Sequence, residues 1–226
     1  MKKIRIWDLP TRVFHWLFAL AVLGAITTDF LGEIEWHSYC GYTALVLVIF
    51  RIIWGFVGPL HARFSSFVPS FSKLKTFLKD KKSDQLGHNP LGALSVLAML
   101  VIVLVQAASG LFADDEISFQ GPLAKFVSEN TVKLMSQLHE ANHLLVYGIV
   151  ALHLIAIFYY QRIKKENILG PMIHGDKDVE ELQNTSPVEQ IKSSVDNLKI
   201  RLLAVIILIV LGVLFKHYVI RIITSS

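Results

Sequence analysis

Residues 138–155 read LHEANHLLVYGIVALHLI, an apolar run that contains three histidines, His139, His143 and His153. With its flanks the run is long enough to cross a membrane, because a spanning helix needs about 20 mainly apolar residues. Ionisable residues inside a span are costly and indicate a function by default. The segment HEANH also matches H-E-x-x-H, in which two histidines hold zinc and the glutamate acts as general base. These histidines therefore hold either a zinc ion or something else.

The composition of the whole chain is that of a membrane protein. Hydrophobic residues make up 53% of its 226 residues and charged residues only 18%, and a soluble domain rarely carries so much apolar content. The apolar residues form five long blocks, at 13–31, 39–57, 91–112, 144–160 and 202–215. The last block is short unless it continues through Lys216 and His217 to Ile223, with long side chains that reach the interface.

These blocks predict an all-α membrane protein with three segments. A four-helix transmembrane bundle occupies residues 1–177, a polar linker 178–197, and a fifth, C-terminal transmembrane helix 198–226. The connection before the third helix carries apolar residues at helical spacing, which predicts an amphipathic segment on the membrane surface: Phe64, Phe67, Phe71, Leu74 and Phe77. The connection before the fourth helix, residues 113–137, is predicted to hold one short helix.

The distribution of basic residues orients the chain. Lys and Arg cluster before the first block, between the second and third, and after the fourth, whereas the first connection carries Glu33 and Glu35 without them. Because basic loops stay in the cytoplasm, the N-terminus is predicted to be cytoplasmic. A solvated basic face accounts for the net charge of +4, so no nucleic-acid partner is inferred. The long first block lacks a small-residue cleavage site, which predicts a retained helix and no signal peptide.

The depths of four histidines predict two sites. His15 lies near the cytoplasmic end of the first helix, His37 and His139 near the outer ends of the second and fourth, and His153 deeper toward the cytoplasm. Fourteen residues of helix advance about 21 Å and turn to within about 40° of the starting direction, so His139 and His153 face one side in different leaflets. One zinc cannot bind both, because Zn–N bonds are about 2.0–2.1 Å long. Depth pairs His37 with His139 and His15 with His153, and two imidazoles on either side of a flat macrocycle make a haem b site.

Arg51 follows the same geometry, fourteen residues after His37. A charge inside a span costs about 2.5–3.5 kcal/mol on insertion scales, so Arg51 needs a partner. It lies at the level of the inner site, where haem propionates would accept its hydrogen bonds. Small residues along these helices would let a macrocycle approach the backbone, although ordinary helix packing explains them equally well: Gly41, Gly55 and Gly148.

His143 is the alternative to His139. It lies about 40° from His139 around the helix and about 80° from His153, which favours His139 as the partner of His153 on one face. The single cysteine, Cys40, leaves no C-x-x-C-H site, so no c-type haem is attached to this chain.

Several segments resemble the bacterial two-haem cytochrome b proteins. They are WDLPTRVFHW (7–16), WHSYCGYTALVLVIFRIIWGFVG (36–58), LHARFSSFVPS (60–70) and LHEANHLLVYGIVALHLIAIFYYQRIKKENILGPMIHGDK (138–177). This group includes the cytochrome b subunits of nickel–iron hydrogenases and the prokaryotic cytochrome b561 proteins. The resemblance covers about residues 4–177. It implies the axial ligands His15, His37, His139 and His153, in agreement with the pairing by depth.

The resemblance also implies the partners. His61 and Arg63, in GPLHARF, are suited to the propionates of the inner haem or to a quinone headgroup. Two haem b groups would carry electrons across the bacterial inner membrane between a periplasmic redox protein and the quinone pool. That protein is a hydrogenase, another dehydrogenase or a c-type cytochrome. Some proteins with this core instead oxidise superoxide and reduce quinone. The oligomeric state stays open, a homo-oligomer included.

A zinc protease inside the membrane is the alternative from a different class. It needs a third ligand, and Asp29, near the outer end of the first helix, is the nearest acid. It also leaves His15, His37, His153 and Arg51 without a role. A proton relay of histidines without a cofactor does not explain why the histidines pair at two depths.

Overall fold

A computed structural model of the chain describes residues 3–80, 89–117, 119–178 and 192–220. Helices dominate it, and two three-residue strands form a small sheet. In chain order the elements are β1 (Lys3–Arg5), α1 (Leu9–Leu31), α2 (Ile34–Val57), α3 (Phe64–Phe67), α4 (Phe71–Asp80), α5 (Pro90–Gly110), α6 (Glu129–Phe158), α7 (Leu169–His174), β2 (Asp176–Asp178) and α8 (Leu198–Phe215).

Within the described ranges, five helices are long and apolar enough to cross a membrane, as the sequence predicts. They are α1, α2, α5, α6 with its continuation to Ile163, and α8 with its continuation to Val219. Both continuations are π-helical turns, at Tyr159–Ile163 and Lys216–Ile220. The protein is therefore an all-α, multi-pass membrane protein.

Helix α6 departs from the prediction, because it begins at Glu129, within the connection predicted at residues 113–137. Its first turns are polar, so hydropathy alone does not reveal them. The short helix predicted in the preceding connection is a single 3₁₀ turn at Ala124–Phe126. Most of the predicted linker, 178–197, and the last residues of the predicted fifth helix lie outside the described residues. The division into three segments stays a prediction.

The connection between α2 and α5 is helical, as its apolar spacing predicts. Phe67 of α3 and Phe77 of α4 are buried, whereas Phe71 is 83% exposed and Leu78 is 59% exposed. Lys73, Lys75 and Lys79 also lie on α4. The segment is therefore amphipathic, and its place on the membrane surface stays a prediction.

Chain contacts divide the protein into two compact units. The sheet unit comprises Met1–Val13, Arg51–Ala98 and Ala151–Ala204, and the bundle unit comprises Phe14–Phe50, Met99–Val150 and Val205–Ser226. All five long helices contribute residues to both units.

In the sheet unit, β1 pairs antiparallel with β2, with Lys3 opposite Asp178 and Arg5 opposite Asp176. The Arg5 guanidinium contacts Asp176 at 2.6 Å and Asp196 at 2.7 Å, and Arg201 contacts Asp196 at 2.9 Å. We call Arg5, Asp176, Asp196 and Arg201 the Asp196 cluster. It joins the residues before α1, those after α7 and those at the start of α8.

In the bundle unit, α2 is the most buried of the long helices. Leu45 packs with Leu111 and with Val219 beyond α8, and the rings of Tyr42 and Phe215 are 5.5 Å apart. The last helix therefore packs on the second, which the sequence alone does not reveal.

Candidate functional site

A cavity of about 320 Å³ lies inside the bundle unit. Four helices build its wall, which is mostly small or apolar: Val22, Ala25, Ile26 and Asp29 from α1, His37, Gly41 and Ala44 from α2, Val103, Gln106 and Ala107 from α5, and His139, Glu140, His143, Val146 and Tyr147 from α6. Apolar walls with a few convergent polar groups are typical of cofactor sites. This wall suits a flat apolar ring, and Gly41 leaves room beside the backbone, with no atom within 4 Å of the place where its Cβ would stand.

The structure brings His37 and His139 together in this cavity. Their ring centroids are 6.1 Å apart, with planes at 86°. His37 Nδ1 lies 2.9 Å from the carbonyl oxygen of Ala25, and His139 Nδ1 lies 2.9 Å from that of Gln106. A carbonyl oxygen can only accept, so each Nδ1 carries the proton and each Nε2 keeps its lone pair. Metal-binding histidines in proteins have this arrangement, so the residues fit the axial ligands of a haem.

Helix α5 packs against the His139 ring. A Cβ at Gly110 would lie 2.9 Å from Cε1 of His139, and Ser109 Oγ is 3.4 Å from Nδ1. Gln106 and Gly110 are not among the site residues predicted from the sequence. Gln106 gave a signal, since it is an amide within an apolar run. Gly110 gave none, because its role depends on how two helices pack.

His143 lines the same cavity, but its ring contacts that of Tyr147, with centroids 5.3 Å apart. The Tyr147 hydroxyl donates to Asp29 Oδ2 at 3.1 Å. These three side chains form a polar group on the wall beside the histidine pair. Of the two histidines in HEANH, the one whose ring meets that of His37 is therefore His139.

The second predicted pair falls in different units. His15 belongs to the bundle unit and lies edge-on to Trp16, with centroids 5.0 Å apart. His153 belongs to the sheet unit, and both side chains are half-buried. The pairing of His15 with His153 stays a prediction.

Arg51, in the sheet unit, is only 3% exposed. Its Cζ lies 5.2 Å from the centroid of the Phe64 ring and 5.7 Å from that of Phe67. Its Nη1 is buried and makes no hydrogen bond to the described part of the chain. A buried guanidinium N–H without an acceptor fits a carboxylate ligand such as a haem propionate.

Asp8 contributes a negative charge to the surroundings of Arg51. Its carboxylate is fully buried and accepts hydrogen bonds from the Thr11 amide, the Thr11 hydroxyl and Trp54 Nε1, at 2.9, 2.8 and 3.3 Å. Burial raises the pKa of Asp8 above its ordinary value, although these hydrogen bonds lower it. The motif WDLPT thus places a buried acid near the buried base.

The remaining predicted residues make local contacts. His61 Nε2 donates to the Lys192 carbonyl oxygen at 2.7 Å, and Arg63 Nε donates to the Gly58 carbonyl oxygen at 2.6 Å. Their predicted contacts with propionates or quinone stay predictions. A Cβ at Gly55 would overlap the Phe64 ring, so Gly55 serves helix packing.

The zinc alternative finds no support in the described ranges. Among residues 3–80, 89–117, 119–178 and 192–220, no group of three or more His, Cys, Asp or Glu side chains is arranged to hold a metal ion. Asp29, the acid nearest to HEANH by depth, hydrogen-bonds to Tyr147.

Five apolar helices, and two imidazoles that line one cavity of small and apolar residues, define a class: a helical membrane protein whose histidine pair is suited to a planar metal cofactor. The family model described as prokaryotic cytochrome b561 matches residues 6–175, so the chain belongs to this family. The predicted family is thereby confirmed. The protein is a b-type cytochrome, a haem protein of membrane electron transport.

Curated relatives are distant in sequence, and the first two align with most of this chain. A probable Ni/Fe-hydrogenase B-type cytochrome subunit from Rhizobium leguminosarum bv. viciae is 24% identical over 213 residues, which covers 78% of this chain and 89% of the relative. One from Azotobacter chroococcum mcd 1 is 25% identical over 209 residues, covering 76% and 87%. A probable Ni/Fe-hydrogenase 1 B-type cytochrome subunit from Escherichia coli (strain K12) is 24% identical over 151 residues, covering 54% and 64%.

Proposed function

We propose that this protein is a di-haem cytochrome b that carries electrons across the bacterial inner membrane between a periplasmic redox protein and the quinone pool. The observation that carries the proposal is the juxtaposition of His37 and His139, each with Nδ1 bonded to a backbone carbonyl, which leaves Nε2 as the nitrogen with the lone pair. The relatives are named as subunits of Ni/Fe hydrogenases, which supports a hydrogenase as the periplasmic partner.

The residues have the following roles in this proposal. His37 and His139 hold the outer haem, and His15 and His153 hold the inner haem. Arg51 binds a propionate of the inner haem through its free Nη1, and His61 and Arg63 serve a propionate or the quinone headgroup. The N-terminus is cytoplasmic, because basic loops lie at that end of the helices.

Haem b bound at each pair supplies a one-electron couple whose potential the axial ligands and the surrounding dielectric set. The protein's own part is positional. The carbonyls of Ala25 and Gln106 hold the two imidazoles in the Nδ1–H tautomer, so that Nε2 would be the nitrogen that binds the iron. The mostly apolar wall of the cavity lowers the local dielectric. Quinone reduction takes up protons, and His61 or Glu166 would supply them.

A superoxide:quinone oxidoreductase on the same core receives less support. The wall of the cavity carries the acids Asp29 and Glu140 and no Lys or Arg. Carboxylates repel an incoming anion, so this side of the bundle unit does not favour superoxide.

The test is the haem and zinc content of the detergent-purified protein and of two variants, His139→Ala and His143→Ala. The proposal expects two b haems per chain in the wild type, one in His139→Ala and two in His143→Ala. Loss at His143 and not at His139 would keep the function and reassign the ligand. One zinc and no haem would sink the proposal.

Electron transfer to quinone needs a separate measurement. The reduced wild-type protein should be reoxidised by a soluble quinone, as followed in the haem absorbance. An unchanged reduced spectrum after addition of several quinones would remove quinone from the proposal and leave the haem sites standing.

A further inference from the structure

Gln106 places an amide inside LVIVLVQAASG, an otherwise apolar stretch of α5 at 100–110. Inside a bilayer an amide must find its partners within the protein, because no water reaches it. Gln106 finds them on α6. Its side-chain nitrogen lies 3.2 Å from Nε2 of His139 and donates to the His139 carbonyl oxygen at 3.1 Å.

Asn142, one turn beyond His139, holds the other end of this amide. Asn142 Nδ2 donates to Gln106 Oε1 at 2.8 Å and to the Ile102 carbonyl oxygen at 3.0 Å. Asn142 is 6% exposed, so these bonds lie inside the unit. Because the Gln106 oxygen accepts from Asn142, the NH₂ group is the end that faces His139.

The backbone of Gln106 completes the contact, since its carbonyl accepts from His139 Nδ1 at 2.9 Å. One residue thus touches both nitrogens of the imidazole and the backbone of the same histidine. A partner that fixes the orientation of a ligating histidine also raises its basicity and so changes the properties of the metal.

We propose that Gln106, oriented by Asn142, is the positioning residue for His139 and sets the redox potential of the haem that His139 holds. This inference rests on the proposed function. When Nε2 serves the iron, the amide keeps its bond to the His139 carbonyl, and Asn142 keeps the amide from turning. Loss of the side chain frees the ring to rotate and weakens its Nδ1 bond. The imidazole then donates less charge, and the ferrous form is favoured.

The experiment compares Gln106→Leu and Asn142→Leu with wild type in a redox titration of both haems and in the electron paramagnetic resonance of the ferric state. Gln120→Leu is the matched control, because Gln120 bonds Asp114 on an exposed segment. In Gln106→Leu, the ferrous-to-ferric ratio of one haem at fixed ambient potential should rise about two- to tenfold, the effect of one hydrogen bond. The electron paramagnetic resonance signal of that haem should shift. The potential and signal of the other haem, and both haems of the control variant, should be as in wild type.

Asn142→Leu should raise the ferrous-to-ferric ratio of the same haem by a smaller factor, because Asn142 acts through Gln106. Unchanged potentials and resonances in both variants would overturn the inference. If Gln106→Leu loses the haem, Asn142→Leu decides, because it leaves the Gln106 amide in place and removes only the side chain that orients it. A moved signal in that variant supports the inference, and an unmoved one overturns it. A wild type without haem would instead overturn the proposed function.

Discussion

Gly110 lies so close to His139 that any side chain there would meet the imidazole: a Cβ would be 2.9 Å from Cε1 and 3.1 Å from Nδ1. The glycine therefore decides where the ring can sit. Helix α5 brings this glycine, the Gln106 carbonyl and the Gln106 amide to one face of the histidine.

Replacing Gly110 by Ala should displace the His139 ring and reduce the haem content from two per chain toward one. Overpacking of a tight site typically costs about 1–3 kcal/mol, so the protein should still fold. Pyridine haemochrome assay per chain measures the effect. Gly212→Ala is the control, since a Cβ there would meet nothing within 4 Å and α8 contributes no residue to the cavity wall. Equal haem content in the two variants would contradict the close approach as the reason for this glycine.

Gly41→Leu should fill part of the cavity, because Gly41 is on the wall and a Cβ there would enter open space. We expect one haem to be lost while the helical circular dichroism is unchanged. Gly212→Leu, in α8, introduces the same side chain where nothing lies within 4 Å and should retain both haems. Retention of both haems in Gly41→Leu would show that the macrocycle does not use this side of the cavity.

Arg51→Met should lower the retention of the other haem, the one assigned to His15 and His153. The substitution removes the buried Nη1 donor proposed for a propionate and one of the positive charges near Asp8. Haem content after washing in detergent measures the loss. Arg162→Met, at an exposed position, should be close to wild type. A variant with two firmly bound haems would remove Arg51 from the haem site.

Because of Asp196, the stability of the sheet unit should depend on pH in the acid range. Burial raises its pKa, but hydrogen bonds from Arg201 and the Leu9 amide and the charges of Arg201 and Arg5 outweigh burial, so the pKa lies below its ordinary value of 3.8. A lowered folded-state pKa means that the ionised form stabilises the fold above pH 3.8. This contribution disappears as the pH falls through the lower folded-state value.

Asp196→Asn should therefore lower the thermal midpoint at pH 7, by the equivalent of about 1.5–3 kcal/mol for hydrogen bonds to a charge. The difference from wild type should shrink as the pH approaches 3. Melting curves in detergent from pH 7 to 3 measure it, with Glu33→Gln as a control at an exposed carboxylate. A difference that stays constant across this range would exclude the charge of Asp196 as its source.

The sequence predicts the membrane helices, because hydropathy depends on residues that are close together along one helix. The depths of His37 and His139 predict that the two side chains lie close together, and their role as haem ligands stays a prediction. Hydropathy reveals a span, and a period of 3.6 residues reveals which histidines share a face. His37 and His139 accordingly meet, as depth predicts.

The missed features depend on contacts between segments distant in sequence. Gly110 and Asn142 give no local signal, since each acts on a neighbouring helix. The strands β1 and β2 have three residues each and no readable alternation. The sequence does not predict the start of α6 at Glu129, because a polar helical turn outside the apolar run does not raise hydropathy.

The Asp196 cluster has a consequence for the order of assembly. Arg5 precedes Asp176 by 171 positions and Asp196 by 191, and four of the long helices lie between the first two. During synthesis β1 therefore has no partner strand until those helices have been made. The sheet and its ion pairs can form only after α7 has been synthesised. A paired β1 therefore indicates that the chain has been completed beyond α7. A protein truncated within the fourth span would keep β1 unpaired and open to quality-control proteases.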